Sequence, residues 1–333
     1  MPWPSLPEGV LLEGSHAGSP GGGAPARLRA AASRSPLLLV ATGVVLYSTG
    51  PVMLQASALS GPVFSFWRLW IGVAGLGLVV TVQRGMGVAW PAWRQWRVAV
   101  GAGVAFGIHQ LLFFTAVRVT TVVDVSLMNA LAPVVTAFGA RWLFNERPGR
   151  RFWVWAAVAI VGAVLLAVAA STAPSGSAAG MVMALANVVF FAIFFLLSKE
   201  GRDHLPVMTF LLGTIFVAAV VVSGFVAVTG ADPLQPRDVD LALAAGVALG
   251  PGLLGHFIMT WPLRYVPANI PPVMRLAQPF IAGALAWWLL AEPLSWRHLF
   301  GGALVVIGAA GTVLSGDGRQ LRDEARQRAL SRR

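Results

Sequence analysis

The sequence predicts an all-α integral membrane protein with ten transmembrane helices in two inverted five-helix repeats. Three observations lead there: apolar runs of helix length, a one-sided distribution of arginine and lysine, and a self-similarity at a spacing of 146 residues. Of the 333 residues, 57% are hydrophobic and only 11% are charged. A water-soluble domain carries about a quarter charged residues, so this chain has too few to cover itself in water. Lipid is the solvent that tolerates such a surface.

A spanning helix needs about 20 apolar residues. Candidate spans are 37–56, 62–82, 98–117, 121–143, 152–171, 179–198, 206–228, 241–263, 267–291 and 297–315. Residues 1–35, rich in Gly, Pro, Ala and Ser, read as a disordered cytoplasmic tail. The first repeat takes 36–171 and the second 179–315. Residues 316–333 form a charged cytoplasmic tail, expected to be a short surface helix or disordered.

The formal charge is +11. In a soluble protein that would raise nucleic acid as a partner, but here the basic residues sit between spans and in the tails. With the N-terminus in the cytoplasm, the opposite side holds only Arg118, Arg237 and Arg297, and Arg68, Arg141 and Arg275 fall inside spans. The remaining eighteen of the 24 Lys and Arg residues are then cytoplasmic, as the positive-inside rule requires. This fixes an expected place in the cytoplasmic (inner) membrane with both termini inside, and membrane lipid rather than nucleic acid as the surrounding partner. Trp90, Trp93 and Trp96 read as an interfacial belt on the cytoplasmic face. The chain has no cysteine, which excludes disulfides and thiolate chemistry.

A shift of 146 residues places Arg118 on Arg264, Pro133 on Pro279, Trp142 on Trp288, Glu146 on Glu292, Arg151 on Arg297 and Gly162 on Gly308. Each half has five spans, so the second enters the membrane from the opposite side. An inverted repeat lets two halves rock about a site near the midplane, which points to transport.

With the repeat in view, the chain resembles the drug/metabolite transporter superfamily, specifically proteins built of two EamA-type domains. The residues that carry the resemblance run from Ala116 through the Leu127–Pro133 segment to Asn145-Glu146-Arg147-Pro148, and again from Leu276 through Pro279 to Ala291-Glu292-Pro293. The resemblance implies ten helices, two inverted halves, and export of amino acids or related metabolites. Sugar-phosphate and nucleotide-sugar carriers are more distant relatives, and a multidrug substrate is an alternative within the same fold.

Arg68 and Arg275 lie well inside spans. An arginine there costs at least about 2.5 kcal/mol unless it faces a cavity or a partner. A water-filled cavity with positive potential would suit a carboxylate, which arginine grips with two hydrogen bonds; the other readings are snorkelling to headgroups for Arg68 and pairing with helix-end carbonyls for either arginine. His109 and His256 occupy matching spans and could carry a coupling proton or bond a neighbouring helix. Asn129 and Arg275 are equivalent by the 146-residue shift, and Gln278 precedes Pro279. These six residues are the candidate substrate site. Tyr47, Gln55 and Asn187 are further polar residues in apolar spans. Glu146 and Glu292 are expected to cap the helices that follow them. Gly103 with Gly107, and Gly246 with Gly250, permit close helix contact.

The sequence holds no phosphate-binding loop and no metalloprotease or serine-hydrolase signature, so no cofactor or metal is expected. A membrane-embedded enzyme would need acids or histidines converging near a headgroup, and a scaffold would need a sizeable soluble region. Neither is present in the sequence, which leaves a small molecule as the expected substrate.

Overall fold

In the computed structural model, residues 36–85, 96–132, 134–136, 138–139, 149–172, 177–201, 205–234, 236–255, 258, 275–292 and 295–330 are described. Their helices are α1 (Pro36–Ala56), α2 (Gly61–Gly85), α3 (Trp96–Val119), α4 (Val122–Asn129), α5 (Arg150–Thr172), α6 (Ala178–Gly201), α7 (Val207–Thr229), α8 (Asp238–Val247), α9 (Gln278–Leu290) and α10 (Trp296–Leu330). No strand occurs among the described residues. Among the described residues, five segments are long and apolar enough to cross a bilayer: Gly61–Gly85, Trp96–Val119, Ala178–Ser198, Val207–Thr229 and Asp238–Gly255. Large apolar side chains face outward along them and along α5, among them Leu78, Val82, Val161, Val182 and Val220. In water this would be a continuous sticky surface; in lipid it is the ordinary exterior of a multi-pass membrane protein.

Pro51 lies inside α1, which runs on through it as unbroken helix. Two interruptions occur elsewhere. After Val247, α8 widens into a π-helical stretch, Ala248–Gly255, around Pro251. Proline lacks the N–H that an α-helix would bond four residues back, and the wider i→i+5 turn absorbs the defect. The second interruption is repeated. A turn at Ala130–Leu131 follows α4, and a turn at Leu276–Ala277 precedes α9, the two 146 residues apart. Pro279 then sits in the first turn of α9, where a missing N–H costs nothing.

The packing partners are specific. Gly162 on α5 lies against Gly301 and Val305 on α10, while Gly308 on α10 lies against Ala159, and Gly311 against Trp155. Numbers rise on one helix as they fall on the other, so α5 and α10 run antiparallel. The same holds for α2 and α7, through Gly72 against Ile215 and the Trp70 indole N–H donating to the Ser223 hydroxyl at 3.0 Å. Gly103 and Gly107 on α3 meet Val217 and Val221 on α7, which assigns that pair to packing within the chain. Gly246 touches Met53 of α1, whereas Gly250 has open space where a side chain would stand. Trp96 packs on Gly213, so it serves the interior as well as any surface belt; Trp90 and Trp93 lie outside the described residues.

One end of the bundle collects the connections after α1, α3, α5, α7 and α9. Arg118 donates to the carbonyls of Ser57 and Leu59. Asp240 accepts from the Ser57 hydroxyl at 2.9 Å, from the Ala58 N–H at 2.8 Å and from Arg237 Nε at 2.7 Å. The Trp67 indole donates to the Pro233 carbonyl, and Gly180 abuts Thr120. The carboxylate of Glu292 accepts from the Val122 N–H. Glu292 therefore caps α4, which lies in the other half of the chain, and not the helix that follows it in sequence. Glu146 lies outside the described residues. At the other end of the chain, α10 continues without a break to Leu330, so the charged C-terminal stretch is helical through that point.

Candidate functional site

A cavity opens where α1, α2, α3, α6 and α8 meet the turns beside α4 and α9. Both interruptions described above border it, through Pro251 from the π-helical stretch and the residues flanking the two paired turns, and Pro51 of α1 lines it as well. Broken helices place polar groups and backbone carbonyls beside a cavity, where an intact helix would offer only side chains. About 110 Å³ of the cavity is open to the centre of a water molecule. One water needs about 10–15 Å³ by that measure, so the space suits a small organic molecule with a few waters.

Arg68 projects from α2 and is only 9% exposed. It bonds the side-chain carbonyl of Gln110 on α3, and its guanidinium lies 5.9 Å from the Phe106 ring centre and 5.7 Å from that of Phe114. Its Nε is buried without a hydrogen-bond partner. Snorkelling is thereby overturned, because the side chain turns inward to the cavity. Arg275 stands just before the second turn, 5.3 Å from the Tyr47 ring centre and 5.4 Å from that of Phe191. Aromatic faces hold a cation by their quadrupole at this range, a contact worth about 2 kcal/mol or more when dry. They leave guanidinium N–H groups for a ligand.

Between the arginines lies a chain of neutral polar groups. The Asn187 amide donates to Asn129 Oδ1 at 2.7 Å. The Asn187 backbone carbonyl lies 3.4 Å from His109 Nδ1, and the imidazole is flanked by the rings of Phe106, Phe113 and Phe191. The Ser48 hydroxyl reaches the Gln278 carbonyl at 3.5 Å. Of the six residues singled out in the sequence, Arg68, His109, Asn129, Arg275 and Gln278 line this one cavity. His256 lies outside the described residues.

Sequence reasoning passed over Gln110 and the aromatic lining. Gln110 is a polar residue in an apolar span next to His109, a signal of the same kind as those used, and it would have been found by pairing it with Arg68. The phenylalanines carry no such signal, since a lipid-facing and a cavity-facing Phe look alike in sequence. No group of three or more His, Cys, Asp or Glu able to hold a metal occurs among the described residues.

The chain is similar to known proteins. The chain is 27% identical over 267 residues to an uncharacterized transporter, YwfM, of Bacillus subtilis (strain 168), covering 78% of this chain and 87% of that one. It is 23% identical over 213 residues to an uncharacterized transporter of Archaeoglobus fulgidus, covering 64% of this chain and 74% of that one. A protein of known crystal structure superposes with a TM-score of 0.60 at 19% identity, over 85% of this chain and 98% of the other, a likeness of fold alone. The sequence pattern of the EamA-like transporter family matches twice, at residues 34–168 and 178–314. The chain belongs to the EamA-like transporter family.

Proposed function

We propose that this protein is a secondary transporter that exports small carboxylate-bearing metabolites, amino acids and their relatives, through the cytoplasmic membrane. It does so by alternating access of two inverted halves around the central cavity, without catalysing a chemical reaction. The observation that carries the reading is the pair of arginines at one cavity, one from each half of the chain. Support for the inverted halves comes from the antiparallel packing of repeat-equivalent helices, α2 on α7 and α5 on α10, and from the paired turns. Both termini would be cytoplasmic, with the gathered connections at Ser57, Thr120 and Glu292 on the far side. Ten spans account for that arrangement, with the first repeat over 36–171 and the second over 179–315.

The cavity's size favours a small metabolite over a nucleotide sugar, and its two guanidinium groups disfavour cationic drugs. The test is flux into proteoliposomes of a labelled carboxylate and amino-acid panel, with and without a pH gradient. Saturable flux lost in Arg275→Ala, with the variant still inserted and folded, is the expected result. Unchanged flux in that variant would sink the site assignment.

A further inference from the structure

We infer that the cavity selects organic anions that lack a free ammonium group, and that a dianion matched to Arg68 and Arg275 binds more tightly than the zwitterionic amino acid of the same shape. This rests on the transporter reading and narrows its substrate class: of the carboxylate-bearing metabolites proposed above, it ranks free amino acids last.

A zwitterion needs a group to receive its ammonium. A carboxylate is the strong acceptor for that task in a site removed from water, and none lines the cavity among the described residues. The thirteen acids are Glu8, Glu13, Asp124, Glu146, Glu200, Asp203, Asp232, Asp238, Asp240, Glu292, Asp317, Asp323 and Glu324. Three of them lie in packed positions, all at the end of the bundle where the connections gather. There Asp240 is bound to Ser57, Ala58 and Arg237, and Glu292 to Val122. Asp124 takes a hydrogen bond from Thr120 at 3.1 Å and faces His298 at 3.4 Å. Asp232 and Asp238 belong to the connection at that same end.

The side chains of the remaining acids lie outside the described residues. Glu146 follows the cavity-lining Ala132 by fourteen residues, in the connection before α5. Glu200 comes nine residues after the cavity-lining Phe191, about 13 Å along a helix. Asp203 follows it, and the other five lie in the tails. Residues 256–274, which precede Arg275, contain no acid.

Among the described residues, the cavity thus carries two guanidinium groups and no carboxylate to balance them. Four of the five aromatic rings that line the cavity already lie by guanidinium groups: Phe106 and Phe114 by Arg68, Tyr47 and Phe191 by Arg275, while Phe113 stacks on His109. The neutral oxygens that remain are weaker acceptors for an ammonium than a carboxylate. An added ammonium would meet two like charges with no counter-charge. A second carboxylate in its place meets a guanidinium.

Two series of ligands of constant shape separate charge from size. One is benzylmalonate, 3-phenylpropanoate and phenylalanine; the other is isobutylmalonate, 4-methylpentanoate and leucine. In each, the group beside the carboxylate is a second carboxylate, a hydrogen or an ammonium. Calorimetric titration of the purified full-length protein in detergent near neutral pH is expected to rank dianion over monoanion over zwitterion in both series. Each step is about tenfold in affinity, the value of one modest charged contact. Arg275→Gln is expected to bring the dianion down to the monoanion's affinity while leaving the monoanion bound. If phenylalanine or leucine binds as tightly as its dianion, the inference is overturned and the transporter reading stands. If no member of either series binds to protein that is folded by its thermal transition, both fall together. The wild-type ranking decides the matter even where the variant fails to fold.

Discussion

Both carboxylate oxygens of Glu292 lie 3.1 Å from the backbone nitrogen of Val122, so an acid in the last connection of the second half caps a helix of the first. The first-turn N–H groups of a helix have no partner of their own, and an acidic side chain there gains from the helix dipole as well. The contact ties the two halves at one end of the bundle.

Its pH dependence has a definite sign. Burial pushes the Glu292 carboxyl up from its ordinary value, with the backbone N–H groups of Val122 and Val123 pulling the other way. The folded protein therefore holds this proton more tightly than the unfolded chain. The stabilisation is fully present below the ordinary carboxylate range and declines as pH rises through the raised value. Glu292→Gln mimics the neutral form, so it should melt close to wild type in acid and gain on wild type as pH rises through the raised value. Melting curves in detergent across that range check it, and a deficit that grows with pH would contradict it.

Gln110 is expected to act on transport through Arg68. Gln110→Leu removes the side-chain carbonyl that receives the Arg68 guanidinium, at a site only 4% exposed. Leaving a buried charged group short of one partner costs about 1–3 kcal/mol. The half-saturation concentration for a transported carboxylate should rise, with Gln110→Glu neutralising the charge and lowering anion affinity further. A Leu variant with wild-type affinity would show that Gln110 does not position the arginine.

Packing of α5 on α10 should be intolerant of a single methyl group. At Gly308 that methyl would meet the Ala159 backbone nitrogen at 2.4 Å, so one helix must move. Gly308→Ala is expected to cost about 1–3 kcal/mol, the usual range for overpacking. Gly77 is the control, with nothing within 4 Å of the added atom. Gly77→Ala should leave stability unchanged or raise it by up to about 1 kcal/mol, through helix propensity alone.

Flux should distinguish the two arginines from the polar chain between them. Arg68→Ala and Arg275→Ala should each abolish carboxylate transport. Asn129→Ala removes one hydrogen bond to Asn187, a net contribution of about 1 kcal/mol, and should only reduce it. Equal losses in all three variants, with wild-type folding, would show that Asn129 touches the substrate or gates the cavity.

Much of this was legible in the sequence because lipid is a demanding solvent. An apolar run must be a helix there, since every backbone polar group needs an internal partner. Arg68 and Arg275 stood out for the same reason, because a buried charge is costly and is kept only for a use. The 146-residue spacing announced a repeat, and the paired turns at Ala130–Leu131 and Leu276–Ala277 preserve that spacing in three dimensions. What spacing did not disclose is reach. The capping partner of Glu292 is 170 residues away along the chain, and local rules assigned it to its nearest helix. The role of Gln110, and the turning of the Phe106, Phe114 and Phe191 faces inward, are also facts of packing.

The sequence by itself determined the solvent, the helical class, the repeat and the family, because each rests on composition or spacing that no packing can alter. Only the tertiary structure decided that Arg68, His109, Asn129, Arg275 and Gln278 share one cavity. The physical reason is that a helix displays side chains all round its axis. Which face turns inward is settled by the helices it packs against, and those neighbours come from the other half of the chain.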